Sequence, residues 1–79
     1  MITSAQIRAA RALLNWSRSD LSTFSGVGPS ALMRLESSEG VPSGNIKTFE
    51  AVQKACENAG IEFIGSPEAG AGVRWRIQK

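Results

Sequence analysis

The pattern of apolar and polar residues is clearest between Ser17 and Glu36, where it predicts two short helices joined by a tight turn. In each half of this stretch two apolar residues lie three positions apart, a spacing that places them on one helical face. Gly26 stands where the first helix must end, and glycine accepts the left-handed backbone that such an end commonly uses. The residues expected to face inward are Leu21, Phe24, Val27, Leu32 and Leu35.

The second of these helices, from Pro29 to Ser37, has a mainly polar outer face. At about 100° per residue, its outward arc and flanks comprise Ser30, Ala31, Met33, Arg34 and Ser37. Two helices with a tight turn form the helix-turn-helix layout, in which the second helix is free to enter the major groove of DNA. The alternative is an ordinary solvated face, which any short helix on a globular domain would show.

Capping signals predict a further helix before this stretch. Thr3 followed by Gln6 forms a capping box that opens a helix from about Ser4 to Leu14. Ser17 caps the next helix, with Asp20 three residues on, where its charge suits the helix N-terminus. The inward positions of the first helix are Ile7, Ala10 and Leu14. Between the two helices stands Trp16, which we interpret as a core anchor.

A loop and a fourth helix follow. The composition of residues 37–44, with Gly40 and Pro42, predicts a loop that would bring Ser43 and Asn45 towards a sugar-phosphate backbone. The helical period then returns from about Ile46 to Ala59, with Gly60 as the stop. Its inward stripe is Ile46, Phe49, Val52 and Cys56, and the cysteine is most simply a small core hydrophobe.

In the last part of the chain the spacing of apolar residues changes from helical to strand-like, which predicts a hairpin. Residues 61–64 and 73–77 read as strands, and the loop from Gly65 to Gly72 is too long to define their register. Arg74 and Arg76 point away from the apolar face, towards solvent or an acidic partner. The apolar face is expected to form a dimer interface, with Trp75 packing on the fourth helix of its own chain as the alternative. The interface residues are Phe63, Val73, Trp75 and Ile77.

Composition narrows the classes of function. The 79 residues carry a net charge of +2, which is too small to prove a polyanionic partner. The single cysteine excludes an internal disulfide, and the absence of histidine and of a cysteine cluster argues against metal ligands. No nucleophile–base constellation or phosphate loop is present, so we expect a non-enzyme without a cofactor. No stretch is long or apolar enough for a membrane span or signal peptide, which predicts a cytoplasmic protein.

The central stretch also matches a known family pattern at several positions: Asn15-Trp16-Ser17-Arg18, Leu21, Gly26-Val27, Leu32 and Leu35-Glu36. In these residues the chain resembles the phage-repressor (Cro/CI, or Xre-type) helix-turn-helix regulators, over roughly Ile7 to Gly60. The resemblance implies that Arg18 touches the DNA backbone, where the family usually has a glutamine. It also implies that Arg11 pairs with Glu36 and locks the first helix to the third.

The chain departs from that family at the start of the recognition helix. Where the family often has Ser-x-x-Thr, this sequence has Gly28, Pro29, Ser30 and Ala31. Proline suits a first helical turn, but glycine is a weaker cap than serine. Neither the glycine nor the proline can read a base by hydrogen bonding. This departure favours an alternative function, a protein-binding module such as an antiactivator or an antitoxin partner.

Together these features predict a mainly α, lambda-repressor-like helix-turn-helix domain of four to five helices with a C-terminal two-stranded β-hairpin. Residues 1–60 would bind DNA, and residues 61–79 would form the hairpin within the same compact unit. We expect a homodimeric repressor on an inverted-repeat site in double-stranded DNA, with any second protein partner unknown. The residues expected to contact DNA are Arg18, Ser19, Pro29, Ser30, Ala31, Met33, Arg34, Ser37, Ser43, Asn45 and Lys47.

Overall fold

The computed structural model describes residues 2–37 and 46–76, and within these ranges the chain forms four helices and a two-stranded antiparallel hairpin. The elements are α1 (Ser4–Leu14), α2 (Arg18–Ser25), α3 (Pro29–Ser37), α4 (Ile46–Asn58), β1 (Ile61–Ile64) and β2 (Gly72–Trp75). A mainly helical fold with a C-terminal hairpin is therefore confirmed. Residues 38–44 of the predicted loop, including Ser43, lie outside the described residues, as do the following Asn45 and the predicted strand residue Ile77.

The predicted starts of α1 and α2 and the predicted end of α2 are confirmed. The Thr3 hydroxyl accepts from the backbone N–H of Gln6 at 3.1 Å, and the Gln6 side chain accepts from the Thr3 N–H at 2.8 Å. Ser17 and Asp20 form the same reciprocal pair at the start of α2. Gly26 ends α2 with a φ of +76°, the left-handed conformation expected there.

One hydrophobic core joins all four helices to the hairpin. Its buried apolar residues are Ile2, Ile7, Ala10, Leu21, Val27, Leu32, Leu35, Phe49, Val52, Ala55, Cys56 and Ile61. Because Ile61 belongs to β1, the hairpin shares the core of the helices. In the part of the chain that the structure describes, no helix is both long and apolar enough to cross a lipid bilayer.

Two residues expected in the core are exposed. Phe24 is 61% exposed and Ile46 is 59% exposed, so the inward placement predicted for both was wrong. Phe24 lies in the last turn of α2, where its ring instead stacks on that of Trp16. Ile46 is the first residue of α4, one turn before the buried Phe49, and lies at the margin of the core. Helical periodicity predicts a face, but it does not say how far along the helix that face is covered.

The hairpin register, which the sequence left open, pairs Ile61 with Trp75 and Phe63 with Val73. On the other face, Arg74 forms an ion pair with Glu62, so the acidic partner lies in the same chain. The Gln6 amide fixes the hairpin to α1, because its Nε2 donates to the carbonyl oxygens of Ile64 at 3.1 Å and Gly72 at 2.8 Å.

Candidate nucleic-acid interface

The turn between α2 and α3 is held by side-chain hydrogen bonds. The Ser22 hydroxyl donates to the carbonyl oxygen of Val27 at 2.7 Å. The N–H of Val27 in turn donates to the Ser25 hydroxyl at 3.1 Å. Because Val27 is also buried, the three residues from Gly26 to Gly28 have a fixed path between the helices. Neither serine was predicted to hold the turn, although serine is a common turn residue because its hydroxyl can bond the nearby backbone.

The outer face of α3 carries five of the eleven side chains predicted to contact DNA. Leu32, Leu35 and Glu36 are buried on its inner side, as the helical period predicts. Ala31 is half-buried against the core, which matches its predicted position at the flank and leaves it little outward surface. The exposed residues of this face are Pro29, Ser30, Met33, Arg34 and Ser37.

A buried carboxylate anchors the C-terminal end of α3 to α1. The side chain of Glu36 is only 1% exposed and accepts a bidentate pair from Arg11, with Nε at 2.9 Å and Nη2 at 2.8 Å. The Arg11–Glu36 ion pair implied by the family resemblance is therefore confirmed as a contact. Two parallel N–H···O bonds of this kind are strong and geometrically specific. They fix the orientation of α3 relative to α1.

Two further residues of α1 hold the backbone at the same end of α3. Arg8 donates through Nη1 to the carbonyl oxygen of Glu36, and the Ser4 hydroxyl donates to the carbonyl oxygen of Leu35. The last carbonyls of a helix have no partner within the helix, so these contacts satisfy groups that burial would otherwise leave unpaired. Neither contact was predicted from the sequence, because each partner lies about thirty positions along the chain.

Arg18, predicted to touch the DNA backbone, also lies against Glu36. Its Nη2 and Nε are 3.3 and 3.4 Å from Oε1 of Glu36. Arg11 and Arg18 thus share the Glu36 carboxylate, while Arg8 contacts the backbone carbonyl of the same residue, so three guanidinium groups lie near one buried carboxylate. A basic surface of this kind, next to the first turn of α2, suits a phosphate group.

The other predicted DNA contacts lie on two more elements. Ser19 is exposed in the first turn of α2, where its carbonyl oxygen accepts from the Thr23 hydroxyl at 3.1 Å. Lys47 is exposed in the first turn of α4. Ser43 and Asn45 precede that helix, outside the described residues.

The residues predicted at a dimer interface divide into two groups. Phe63 and Val73 are half-buried and pack against the core of their own chain. Trp75 is 50% exposed, and its indole ring lies over Gly60, where an added Cβ would sit 3.5 Å from Cε3 and Cζ3. The ring therefore rests on the turn between α4 and β1, and half of it remains accessible, while its packing on α4 itself stays a prediction. Ile77 is outside the described residues.

Comparisons with known proteins add no relative to this picture. No protein-family model matches the sequence, and a search of curated proteins found no significant match.

Proposed function

We propose that this protein is a double-stranded DNA-binding transcriptional regulator of the Cro/CI (Xre-type) helix-turn-helix family, with a lambda-repressor-like fold. In this proposal it is a cytoplasmic homodimer that represses transcription by occupying an inverted-repeat operator, without a cofactor or a catalytic step. The proposal rests on the way in which α3 is held against the rest of the protein. Its C-terminal end is held by the buried Arg11–Glu36 pair, while Ser30, Met33 and Arg34 are exposed on the opposite side.

The side chains around α3 divide naturally into two roles. Arg18, Ser19 and Lys47 would bind phosphate groups and set the position of the protein on the duplex, which carries no sequence information. Arg34 would read a guanine through its two acceptors in the major groove, the commonest specific contact of arginine. Met33 and Pro29 offer apolar surface suited to a thymine methyl group.

The test combines DNA selection with a charge-matched pair of variants. Fragments bound by the protein are first selected from random DNA, and affinities for the selected site and for random DNA are then measured at two salt concentrations. Arg34→Ala should cost about 1–3 kcal/mol on the selected site and much less on random DNA. Arg74→Ala removes the same charge from the hairpin, where Arg74 pairs with Glu62, and should leave the ratio of the two affinities unchanged.

Equal losses on both DNAs for the Arg34 variant would reject its role in reading bases. Absence of salt-dependent binding by the wild-type protein would reject DNA binding altogether, because phosphate contacts always release counterions.

A second candidate is a protein-binding module of the same fold, such as an antiactivator or an antitoxin partner. It is favoured by the start of α3, where Gly28, Pro29 and Ala31 have no side-chain hydrogen-bonding groups to offer a base edge. A folded protein that fails to bind random DNA even at low salt would support this candidate.

A further inference from the structure

Glu36 holds its two arginine partners unequally. Arg11 donates two short bonds to the carboxylate, from Nη2 at 2.8 Å and from Nε at 2.9 Å, and its Nη1 donates to the carbonyl oxygen of Trp16 at 3.2 Å. Arg18 donates only to Oε1, from Nη2 at 3.3 Å and from Nε at 3.4 Å. Hydrogen bonds between a guanidinium and a carboxylate are usually about 2.7–2.9 Å long. The contact with Arg11 is therefore the strong one, and the contact with Arg18 is the weak one.

Arg18 is also the more accessible of the two arginines. Its side chain is 39% exposed, against 22% for Arg11, and it belongs to the first turn of α2. Among the described residues, its Nη1 has no hydrogen-bond partner. If Arg18 turns outward, Glu36 keeps both short bonds from Arg11, so no buried charge is left unpaired. Arg18 can therefore exchange Glu36 for an anion outside the protein.

We propose that Glu36 competes with a DNA phosphate group for Arg18 and thereby limits the affinity of the protein for DNA. In the free protein Arg18 pairs with Glu36. In the complex Arg18 pairs with a phosphate group, while Arg11 alone holds the carboxylate. The inference rests on the proposed function and concerns how its phosphate-binding site is regulated.

The competition follows from the charges at this site. A guanidinium that lies against a carboxylate attracts a phosphate less strongly than an unpaired one, and its hydrogen bonds to the carboxylate must break before it turns outward. Loss of the Glu36 charge should therefore strengthen DNA binding, whereas loss of Arg18 should weaken it. Because the contact between the two residues is long and partly exposed, the gain in affinity is limited to roughly threefold to fivefold.

The first test measures binding of the full chain to random duplex DNA by fluorescence anisotropy. Glu36→Gln keeps the shape of the side chain and one carbonyl oxygen for Arg11, but it removes the negative charge that holds Arg18. We expect its dissociation constant to be roughly threefold to fivefold lower than that of the wild type. Circular dichroism checks that each variant is folded under the conditions of the titration.

Two controls separate the release of Arg18 from a general change in charge. In an Arg18→Ala background, Glu36→Gln should alter the dissociation constant by less than about twofold, because no Arg18 side chain remains to be released. Glu62→Gln removes the same charge and releases Arg74 on the hairpin, and its effect should also stay below about twofold because salt screens distant charges. A folded Glu36→Gln variant that binds no more tightly than wild type, or that gains equally without Arg18, would overturn the proposal.

The second test uses the wild-type chain without DNA, so it also decides the case in which Glu36→Gln does not fold. Inorganic tripolyphosphate supplies phosphate groups without bases, and nuclear magnetic resonance of the ¹⁵N-labelled protein follows the Nε–H signals of Arg11 and Arg18. The Arg18 signal is identified by its absence from the spectrum of Arg18→Ala. We expect it to shift as tripolyphosphate is added, while the Arg11 signal stays in place.

Each outcome of the second test has a separate meaning. An Arg18 signal that shifts at no tripolyphosphate concentration would overturn the proposal, because a phosphate group would then not take this side chain from Glu36. Parallel shifts of Arg11 and Arg18 would overturn it equally, since Arg11 would not be holding the carboxylate alone. A selective shift of Arg18 in a protein that binds no DNA would leave the exchange in place and reject only the proposed function.

Discussion

Arg18 and Glu36 are joined by two long hydrogen bonds to a single oxygen. Nη2 and Nε of Arg18 lie 3.3 and 3.4 Å from Oε1 of Glu36, which already accepts a 2.8 Å bond from Arg11. The Arg18 side chain is 39% exposed, whereas that of Glu36 is 1% exposed. Arg11 is therefore the main partner of the buried carboxylate. Arg18 covers it from outside and can leave without exposing an unpaired charge.

This asymmetry predicts that Arg18→Ala affects binding more than stability. Partly exposed ion pairs contribute at most about 1 kcal/mol to stability. The free energy of unfolding, measured in urea, should therefore fall by no more than that. In the proposed complex, the variant should bind both selected and random DNA less tightly, and its salt slope should fall by about one unit. Anisotropy titrations of labelled DNA measure both quantities, with Arg74→Ala as the charge-matched control. A stability loss equal to that of Arg11→Ala would contradict the exchangeable role of Arg18.

Removal of Arg11 should instead destabilise the fold. Arg11→Ala takes away both short bonds to a buried carboxylate, and breaking such a pair typically costs about 3–5 kcal/mol. The double-mutant cycle with Glu36→Ala, measured by urea unfolding, isolates the pairwise contribution. A coupling free energy near zero would mean that neither side chain depends on the other and that the ion pair does not hold α3 in place.

Gly26 and Gly65 have the same φ but different surroundings. Alanine substitutions at the two positions therefore separate the cost of backbone strain from the cost of a steric collision. Gly26 and Gly65 both have a φ of +76°, a backbone conformation in which an L-residue is strained. A Cβ at Gly26 would meet nothing within 4 Å, whereas one at Gly65 would collide with the Gly70 carbonyl group, whose carbon would be 2.8 Å away.

Gly26→Ala should therefore cost about 1–2 kcal/mol from backbone strain alone, and Gly65→Ala should cost clearly more. Thermal or urea unfolding of the two variants gives the comparison. Equal losses would mean that the 65–71 loop shifts to accept the new atom.

The raised pKa of the Cys56 thiol predicts that the protein loses stability at alkaline pH. Its burial, followed by the charges of Glu57 and Glu36, raises the pKa from its ordinary value of 9.0 to about 11. The thiol pKa is higher in the folded state than in the unfolded state. The contribution of the protonated thiol to the free energy of unfolding is therefore complete below pH 9 and is lost as the pH rises towards 11. Urea unfolding at several pH values should show a steeper alkaline decline for the wild type than for Cys56→Ala. Parallel curves for the two proteins would contradict this prediction.

The sequence alone determined the features that depend on neighbouring residues. The capping boxes of Thr3 with Gln6 and of Ser17 with Asp20 join residues three positions apart, so their spacing is enough to predict them. The left-handed end at Gly26 and the alternation of the hairpin strands follow in the same way. The pairing of Arg11 with Glu36 was available only through the family resemblance, since no local period relates residues twenty-five positions apart.

Tertiary structure decided which parts of each predicted face are covered. Phe24 has the spacing of a core residue, but it is exposed because it lies at the end of α2 and stacks on Trp16 instead. Gln6 uses its carbonyl oxygen for the predicted cap and its amide group for β-strand carbonyls 58 and 66 positions away. Arg18 reaches Glu36 only because α1 and α3 first bring that carboxylate to the start of α2. The helical period fixes the direction in which a side chain points from its helix. Its burial and its partners depend instead on the elements that the rest of the chain places opposite it.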